Sequence, residues 1–110
     1  MTTLPGHNYI GGRRSANGTL RLQSIDATTG EPLPGTFVQA SEAEVDAAAK
    51  AAAAAYPTYR NLSAEKRATF LDAIADEIDA LGDEFVATVC RETALPAGRI
   101  LGERARTSGQ

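Results

Sequence analysis

The sequence contains one cysteine, one histidine, no tryptophan and no apolar run long enough to cross a bilayer. Because Cys90 is the only cysteine, neither an intrachain disulfide nor a cysteine zinc cluster can form within the chain. Residues 1–6 lack the basic region and apolar run of a signal peptide. We therefore expect a cytoplasmic protein without a membrane segment.

Positive charge and aromatic side chains are also scarce. The formal net charge is -3, which disfavours a nucleic-acid-binding protein, because phosphate contacts need a basic face. Hydrophobic residues make up 43% of the chain, but many are alanines, which bury little area per residue. Aromatic residues contribute only 5%. We expect a thin core and a chain that does not fold firmly alone.

Residues 1–40 have the pattern of short strands and loops. Tyr9-Ile10 followed by Gly11-Gly12 predicts a small hairpin, because paired glycines suit a tight turn. Leu20–Ile25 begins with alternating apolar and polar residues, which is typical of a strand. Residues 26–35 contain two Pro and two Gly and predict a long loop. Residues 36–40 then form the antiparallel return strand.

Residues 41–110 have the pattern of about four helices. Ser41 and Glu44 form a capping box that starts the first helix, and the alanine-rich stretch after it favours a helical backbone. Tyr56-Pro57 is expected to end this helix, since the residue before proline avoids helical angles. Ser63 is the predicted N-cap of the second helix.

The second helix has the clearest amphipathic pattern. Its apolar residues recur at three- and four-residue steps, and Gly82 is expected to close it. Asp83 then opens a third helix, which Leu95-Pro96 breaks, and Pro96 suits the first turn of a fourth helix that runs through Arg106. The predicted apolar stripe of the second helix consists of Phe70, Leu71, Ile74, Ala75, Ile78 and Leu81.

The two residues most suited to catalysis have simpler structural explanations. Cys90 falls within the third helix on its apolar face, together with Phe85, Val86 and Val89, where a thiol commonly packs as a small hydrophobe. A nucleophilic thiol would need a basic neighbour, a helix N-terminus or a metal. His7 lies in the N-terminal tail without an obvious partner to orient it.

The remaining polar groups also fall short of a site. There is no glycine-rich phosphate loop, and the glycines are explained by turns and caps. The acidic pairs Asp72/Asp76 and Asp76/Asp79 are read as a solvated face, with metal binding as the weaker alternative. Arg99, Glu103 and Arg106 are spaced for ion pairs on one helix. The residues themselves therefore predict no catalytic, cofactor-binding or metal-binding residue in this chain.

The order of five short motifs carries a resemblance. The segment 24–31, Ser-Ile-Asp-Ala-Thr-Thr-Gly-Glu, is similar to "VNPATGE", and Tyr9-Ile-Gly-Gly12 precedes it. Ala55-Tyr56-Pro57-x-Tyr59-Arg60 resembles "AF-x-x-W-R", and 67–76 resembles "R-x-x-x-L-x-x-I-A-D". Residues 92–96, Glu-Thr-Ala-Leu-Pro, lie where "E-x-G-K-P" is usual, so Ala94 replaces a glycine. Together they resemble the N-terminal segment of the aldehyde dehydrogenase superfamily, and the run 92–110 is most similar to its α-ketoglutaric semialdehyde branch.

This resemblance implies a longer enzyme with an α/β parent fold. Residues 1–110 would be the N-terminal part of its NAD(P)-binding domain, and the catalytic domain would lie outside the chain. In the family a cysteine thiolate attacks the aldehyde, hydride passes to NAD or NADP, and a glutamate activates water. These residues lie further along than Gln110, so Cys90 is not at the nucleophile's place, and none of them is carried onto this sequence. The implied partners are the rest of the polypeptide, other subunits of a homo-oligomer (dimer or tetramer) and a small aldehyde.

Two other hypotheses remain open on the sequence. The chain could be a small helical interaction module whose apolar stripe docks on a partner. It could also be a non-catalytic regulatory form of a dehydrogenase. We expect the dehydrogenase fragment, because the pattern stops abruptly at Gln110 and because Phe70, Ile74 and Phe85 require a sheet that this chain lacks.

Overall fold

The computed structural model describes residues 4–110; residues 1–3, the start of the segment tested for a signal peptide, lie outside it. Short antiparallel strands are followed by four helices, as predicted. The contacts divide the chain into two compact units, one formed by residues up to 24 with 33–62, the other by 25–32 with 63–110. The elements are β1 (Asn8–Ile10), β2 (Arg13–Ser15), β3 (Arg21–Leu22), β4 (Phe37–Val38), α1 (Glu42–Arg60), α2 (Ala64–Asp79), α3 (Gly82–Thr93) and α4 (Ala97–Gly109).

The first unit begins with the predicted hairpin. β1 and β2 pair in antiparallel register, and Gly11 and Gly12 connect them with φ angles of 58° and 78°. Two positive φ angles in a two-residue loop define a type I′ turn, which glycine adopts without steric cost. β3 pairs antiparallel with β4, which confirms the return strand. The predicted strand over Leu20–Ile25 is shorter than expected, because the ladder of β3 covers only two residues.

Two glycines let the backbone of this unit close tightly. A Cβ atom at Gly6 would lie 1.9 Å from the carbonyl oxygen of Thr36, and one at Gly18 would lie 1.9 Å from that of Gln39. No side chain fits at such distances, so both positions require glycine. The amide of Val38 donates to the carbonyl of Gly6 over 2.9 Å, which ties the segment before β1 to β4.

Helix α1 is longer than predicted. It continues through Tyr56 and Pro57 to Arg60, so the expected end at Tyr56-Pro57 is wrong. A proline removes one helical hydrogen bond, and here that loss falls in the last turn, where the side chain of Asn61 donates to the Pro57 carbonyl over 2.8 Å. The alanine-rich stretch before Pro57 has the highest helix propensity and carries the helix past it.

The second unit contains α2, α3 and α4. The hydroxyl of Ser63 accepts from the Lys66 amide over 3.2 Å, which confirms the predicted N-cap of α2. α2 ends at Asp79, and Gly82, with a φ of 71°, is the first residue of α3, one position before the predicted start at Asp83. Pro96 is the N-cap of α4 and lies just before its first turn, since its ψ of 151° is extended.

The loop 25–32 belongs to the second unit through backbone hydrogen bonds. The Asp26 carboxylate accepts from the amides of Thr28 and Thr29 at 2.8 and 3.1 Å, an Asx-type turn. The amide of Ala27 donates to the carbonyl of Arg91 in α3 over 2.8 Å. The loop is therefore held both by its own turn and by the end of α3.

Each unit has a small core. The buried hydrophobic side chains among the described residues are Leu33 and Val38 in the first unit and Val86 and Ile100 in the second. Large apolar residues such as Phe70 and Leu81 are 51% and 53% exposed. Across residues 4–110, no helix combines the length and hydropathy that a bilayer crossing requires.

Candidate functional site

The most buried charged group in the described residues is the carboxylate of Glu44, at the start of α1. One of its oxygens accepts from the Ser41 amide over 3.1 Å, and the Glu44 amide donates to the Ser41 hydroxyl over 3.2 Å. This confirms the predicted capping box. The second oxygen accepts a hydrogen bond from the hydroxyl of Ser15 at the end of β2, a contact that the sequence analysis missed.

These hydrogen bonds stabilise the ionised carboxylate. The Ser15 hydroxyl, followed by the Ser41 amide, lowers the pKa of Glu44 to about 2, against the opposing effect of burial. Only 4% of the residue is exposed, so it has little access to a substrate. The Glu44 carboxylate joins β2 to α1 through hydrogen bonds and therefore has a structural role.

The described surface also contains an open apolar groove along α2, which we call the α2 groove. It has a volume of about 440 Å³, and its lining residues recur every three or four positions along the helix. The groove presents neither a nucleophile nor a charged group, because Glu77 lines it only with the apolar part of its side chain. It is lined by Phe70, Ala73, Ile74, Glu77, Ile78 and Leu81.

The two residues considered for catalysis lie in different units. Cys90 is half-buried in the last turn of α3, and Phe85, Val86 and Val89 on the same helix are buried or half-buried. His7 is exposed in the segment before β1. Among residues 4–110, neither side chain has an orienting partner of the kind that nucleophilic catalysis needs.

The acidic pairs of α2 are exposed, and one member of them contacts α4. Asp72, Asp76 and Asp79 are exposed, and Asp79 accepts from the Ser108 hydroxyl over 2.7 Å. Within residues 4–110, no group of three or more His, Cys, Asp or Glu side chains is arranged to hold a metal ion. On α4, Arg99 and Glu103 form the expected ion pair at 2.8 Å, and both side chains are exposed.

The comparison with known proteins decides the family. The model of the "Aldehyde dehydrogenase family" matches residues 14–109. The chain belongs to the aldehyde dehydrogenase family. It is 42% identical over 108 residues to "Alpha-ketoglutaric semialdehyde dehydrogenase 2" of Azospirillum brasilense, a match covering 97% of the chain and 21% of the relative. It is 40% identical over 110 residues to "Alpha-ketoglutaric semialdehyde dehydrogenase" of Acinetobacter baylyi, covering 100% of the chain and 21% of the relative.

The resemblance seen in the five motifs is thereby confirmed, including the similarity to α-ketoglutaric semialdehyde dehydrogenases. The chain spans about a fifth of the length of these relatives. Its structure therefore describes one region of such an enzyme.

Three of the four helix N-termini within residues 4–110 are unsuited to the phosphates of NAD or NADP. Dinucleotide phosphates bind at a helix N-terminus that follows a glycine-rich loop. The first turns of α1, α2 and α3 each carry acidic side chains, which repel phosphate. These acidic first-turn residues are Glu42, Glu44, Glu65, Asp83 and Glu84.

Proposed function

We propose that this chain is the N-terminal part of an NAD(P)-dependent aldehyde dehydrogenase that oxidises α-ketoglutaric semialdehyde to its carboxylic acid. The observation that carries the proposal is the match of residues 14–109 to the family, together with relatives whose names specify this substrate. Residues 1–110 form part of the NAD(P)-binding domain, with strands and loops in 1–40 and helices in 41–110. The parent fold is α/β.

The chain alone is inactive in this proposal. Cys90 is half-buried in α3 with no base beside it among residues 4–110, and the acidic first turns of α1, α2 and α3 do not suit the cofactor phosphates. The nucleophile, the oxyanion donors and the cofactor site belong to the remainder of the polypeptide. The complete enzyme is a cytoplasmic homo-oligomer, a dimer or tetramer, without nucleic-acid or membrane partners.

The test combines two measurements on the natural protein. Intact mass spectrometry gives the subunit mass, and absorbance at the reduced-nicotinamide band follows NAD+ or NADP+ reduction with α-ketoglutaric semialdehyde. We expect a subunit several times the 11.5 kDa of this chain that reduces one of the two cofactors. Propionaldehyde, which lacks the distal carboxylate, is the matched substrate and is expected to react more slowly.

The opposite result has an equally clear reading. A folded natural protein of about 11.5 kDa that reduces neither NAD+ nor NADP+ would overturn the proposal and favour the helical interaction module. Equal rates with propionaldehyde and the semialdehyde would support an aldehyde dehydrogenase but contradict the proposed substrate.

A further inference from the structure

Asparagine occurs three times in the chain, and only Asn17 precedes a glycine. The side-chain amides of the other two are held in hydrogen bonds. Asn8 donates to the Val38 carbonyl over 3.2 Å, and Asn61 donates to the Pro57 carbonyl over 2.8 Å. Asn17 is exposed, and its side-chain amide makes no hydrogen bond within residues 4–110. This carboxamide can therefore rotate towards the backbone that follows it.

Gly18 leaves the backbone nitrogen after Asn17 accessible. Glycine has no Cβ atom to shield that nitrogen, and it reaches backbone angles that other residues avoid. The Gly18 amide donates no backbone hydrogen bond to any residue of 4–110, so no such bond holds it in place. A side chain here would meet the Gln39 carbonyl at 1.9 Å, so the fold itself requires the residue that makes Asn17 reactive.

The surroundings of Gly18 favour loss of its amide proton. The guanidinium of Arg21 donates to the Gly18 carbonyl oxygen over 2.8 Å, which places a positive charge beside this residue. A nearby positive charge stabilises the anionic form of an acidic group. A cavity of about 210 Å³ is lined in part by Asn17 and Gly18, and this volume has room for water. The pair therefore has both a favourable charge and access to water.

We propose that Asn17-Gly18 is a site of spontaneous deamidation. The Gly18 nitrogen loses its proton to water and attacks the side-chain carbonyl carbon of Asn17, which its position in the chain keeps close. A carbon–nitrogen bond forms, the bond from that carbon to the side-chain nitrogen breaks, and ammonia leaves with a proton. Water then opens the five-membered imide at either carbonyl carbon. Position 17 becomes aspartate or isoaspartate, with one water consumed, one ammonia released and no oxidation or reduction.

The product carries a new negative charge close to a carboxylate that the fold keeps ionised. After the Ser15 hydroxyl and the Ser41 amide, the backbone amide of Asn17 also lowers the pKa of Glu44. A carboxylate at position 17 would repel that of Glu44, and isoaspartate would lengthen the backbone at this amide. Deamidation should therefore weaken the junction of β2 and α1, whatever reaction the complete enzyme catalyses.

Peptide mass spectrometry of the natural protein, stored at mildly alkaline pH, tests the proposal. Digestion in heavy-oxygen water marks any deamidation that occurs during preparation. We expect deamidation at Asn17 to be roughly tenfold faster than at Asn8 or Asn61, because glycine leaves the attacking nitrogen unhindered. The rate should rise with pH, since the attack requires a deprotonated nitrogen. Equal rates at the three asparagines would overturn the proposal.

Thermal unfolding of the stored protein provides the second measurement. The wild type should develop a component of lower midpoint whose share equals the deamidated fraction. Asn17→Gln should not develop it, because a glutamine must close a less favourable six-membered ring. The matched control Asn61→Gln retains Asn17 and should change as the wild type does. A stored Asn17→Gln variant that loses stability as fast as this control would contradict the proposed site.

The charge of the product is tested by Asn17→Asp. This variant should lower the thermal midpoint without storage, because it places a carboxylate close to Glu44. The loss should be smaller in a Glu44→Gln background, where the facing charge is absent. An equal loss in both backgrounds would contradict the predicted repulsion.

Discussion

Ala94 has a left-handed backbone, with φ 60° and ψ 16°, and is the one non-glycine residue with a positive φ among residues 4–110. It ends α3, and its amide donates to the Cys90 carbonyl over 2.9 Å. Helices commonly end with a glycine in this conformation, because a Cβ atom is strained there. Relative to the "E-x-G-K-P" pattern, alanine here retains the turn at a cost in stability.

We expect Ala94→Gly to stabilise the chain by about 1 kcal/mol, since the relief of left-handed strain exceeds the added entropy of an unfolded glycine. Urea unfolding monitored by circular dichroism at 222 nm measures the change. Ala87→Gly is the control, because Ala87 is exposed within α3 and should lose roughly 1 kcal/mol on the same exchange. Destabilisation by both substitutions would contradict strain at Ala94.

At the scale of elements, the caps and turns could be predicted from the sequence, whereas the lengths of the helices and strands could not. The capping box of α1, the Ser63 cap and the Gly11-Gly12 turn depend on residues close in sequence, which made them predictable. The end of α1 was wrong at Pro57, because proline disfavours a helical neighbour without forbidding it. Where an element stops depends on tertiary context that neighbouring residues do not encode.

The link between β2 and α1 was beyond sequence reasoning for the same reason. Ser15 and Glu44 are 29 positions apart, and nothing in either local pattern points to the other. The α2 groove shows the opposite case. Its apolar stripe was predictable from periodicity, but the spacing could not tell which side of the helix packs against α4 and which side remains exposed.

Glu44 makes the junction of β2 and α1 sensitive to acid. Its pKa of about 2 in the folded chain is below the ordinary value of 4.5, so the folded state binds fewer protons than the unfolded state between these values. This contribution to stability is complete above about pH 4.5 and is lost as the pH falls towards 2. We expect the urea midpoint to decrease over this window.

The Glu44→Gln variant isolates this group from the other carboxylates. It should be less stable than the wild type at neutral pH and should lose less stability between pH 4.5 and 2. Glu42→Gln is the matched control, because Glu42 is exposed in the same turn of α1. If the two variants have parallel pH profiles, the bond from Ser15 does not stabilise the charged form.

At the scale of the whole chain, little apolar surface is withdrawn from water. Among residues 4–110, two hydrophobic residues are buried in each unit, while many large ones are at least 37% exposed. The urea m-value scales with the surface exposed on unfolding, so we expect at most about 1 kcal/mol/M, the low end for small proteins. A value near 2 kcal/mol/M, unchanged on dilution, would mean that the chain buries its apolar residues by itself.

The loop 25–32 has a consequence for how the protein is made. It lies between two stretches of the first unit in sequence, yet its amide at Ala27 is bonded to Arg91 near the end of α3. During translation this loop leaves the ribosome well before its acceptor exists, so the second unit cannot be completed until α3 has emerged. Because the two units alternate along the sequence, no single truncation point separates them. A fragment that begins at Ser63 would lack Ala27, whose amide donates to the Arg91 carbonyl.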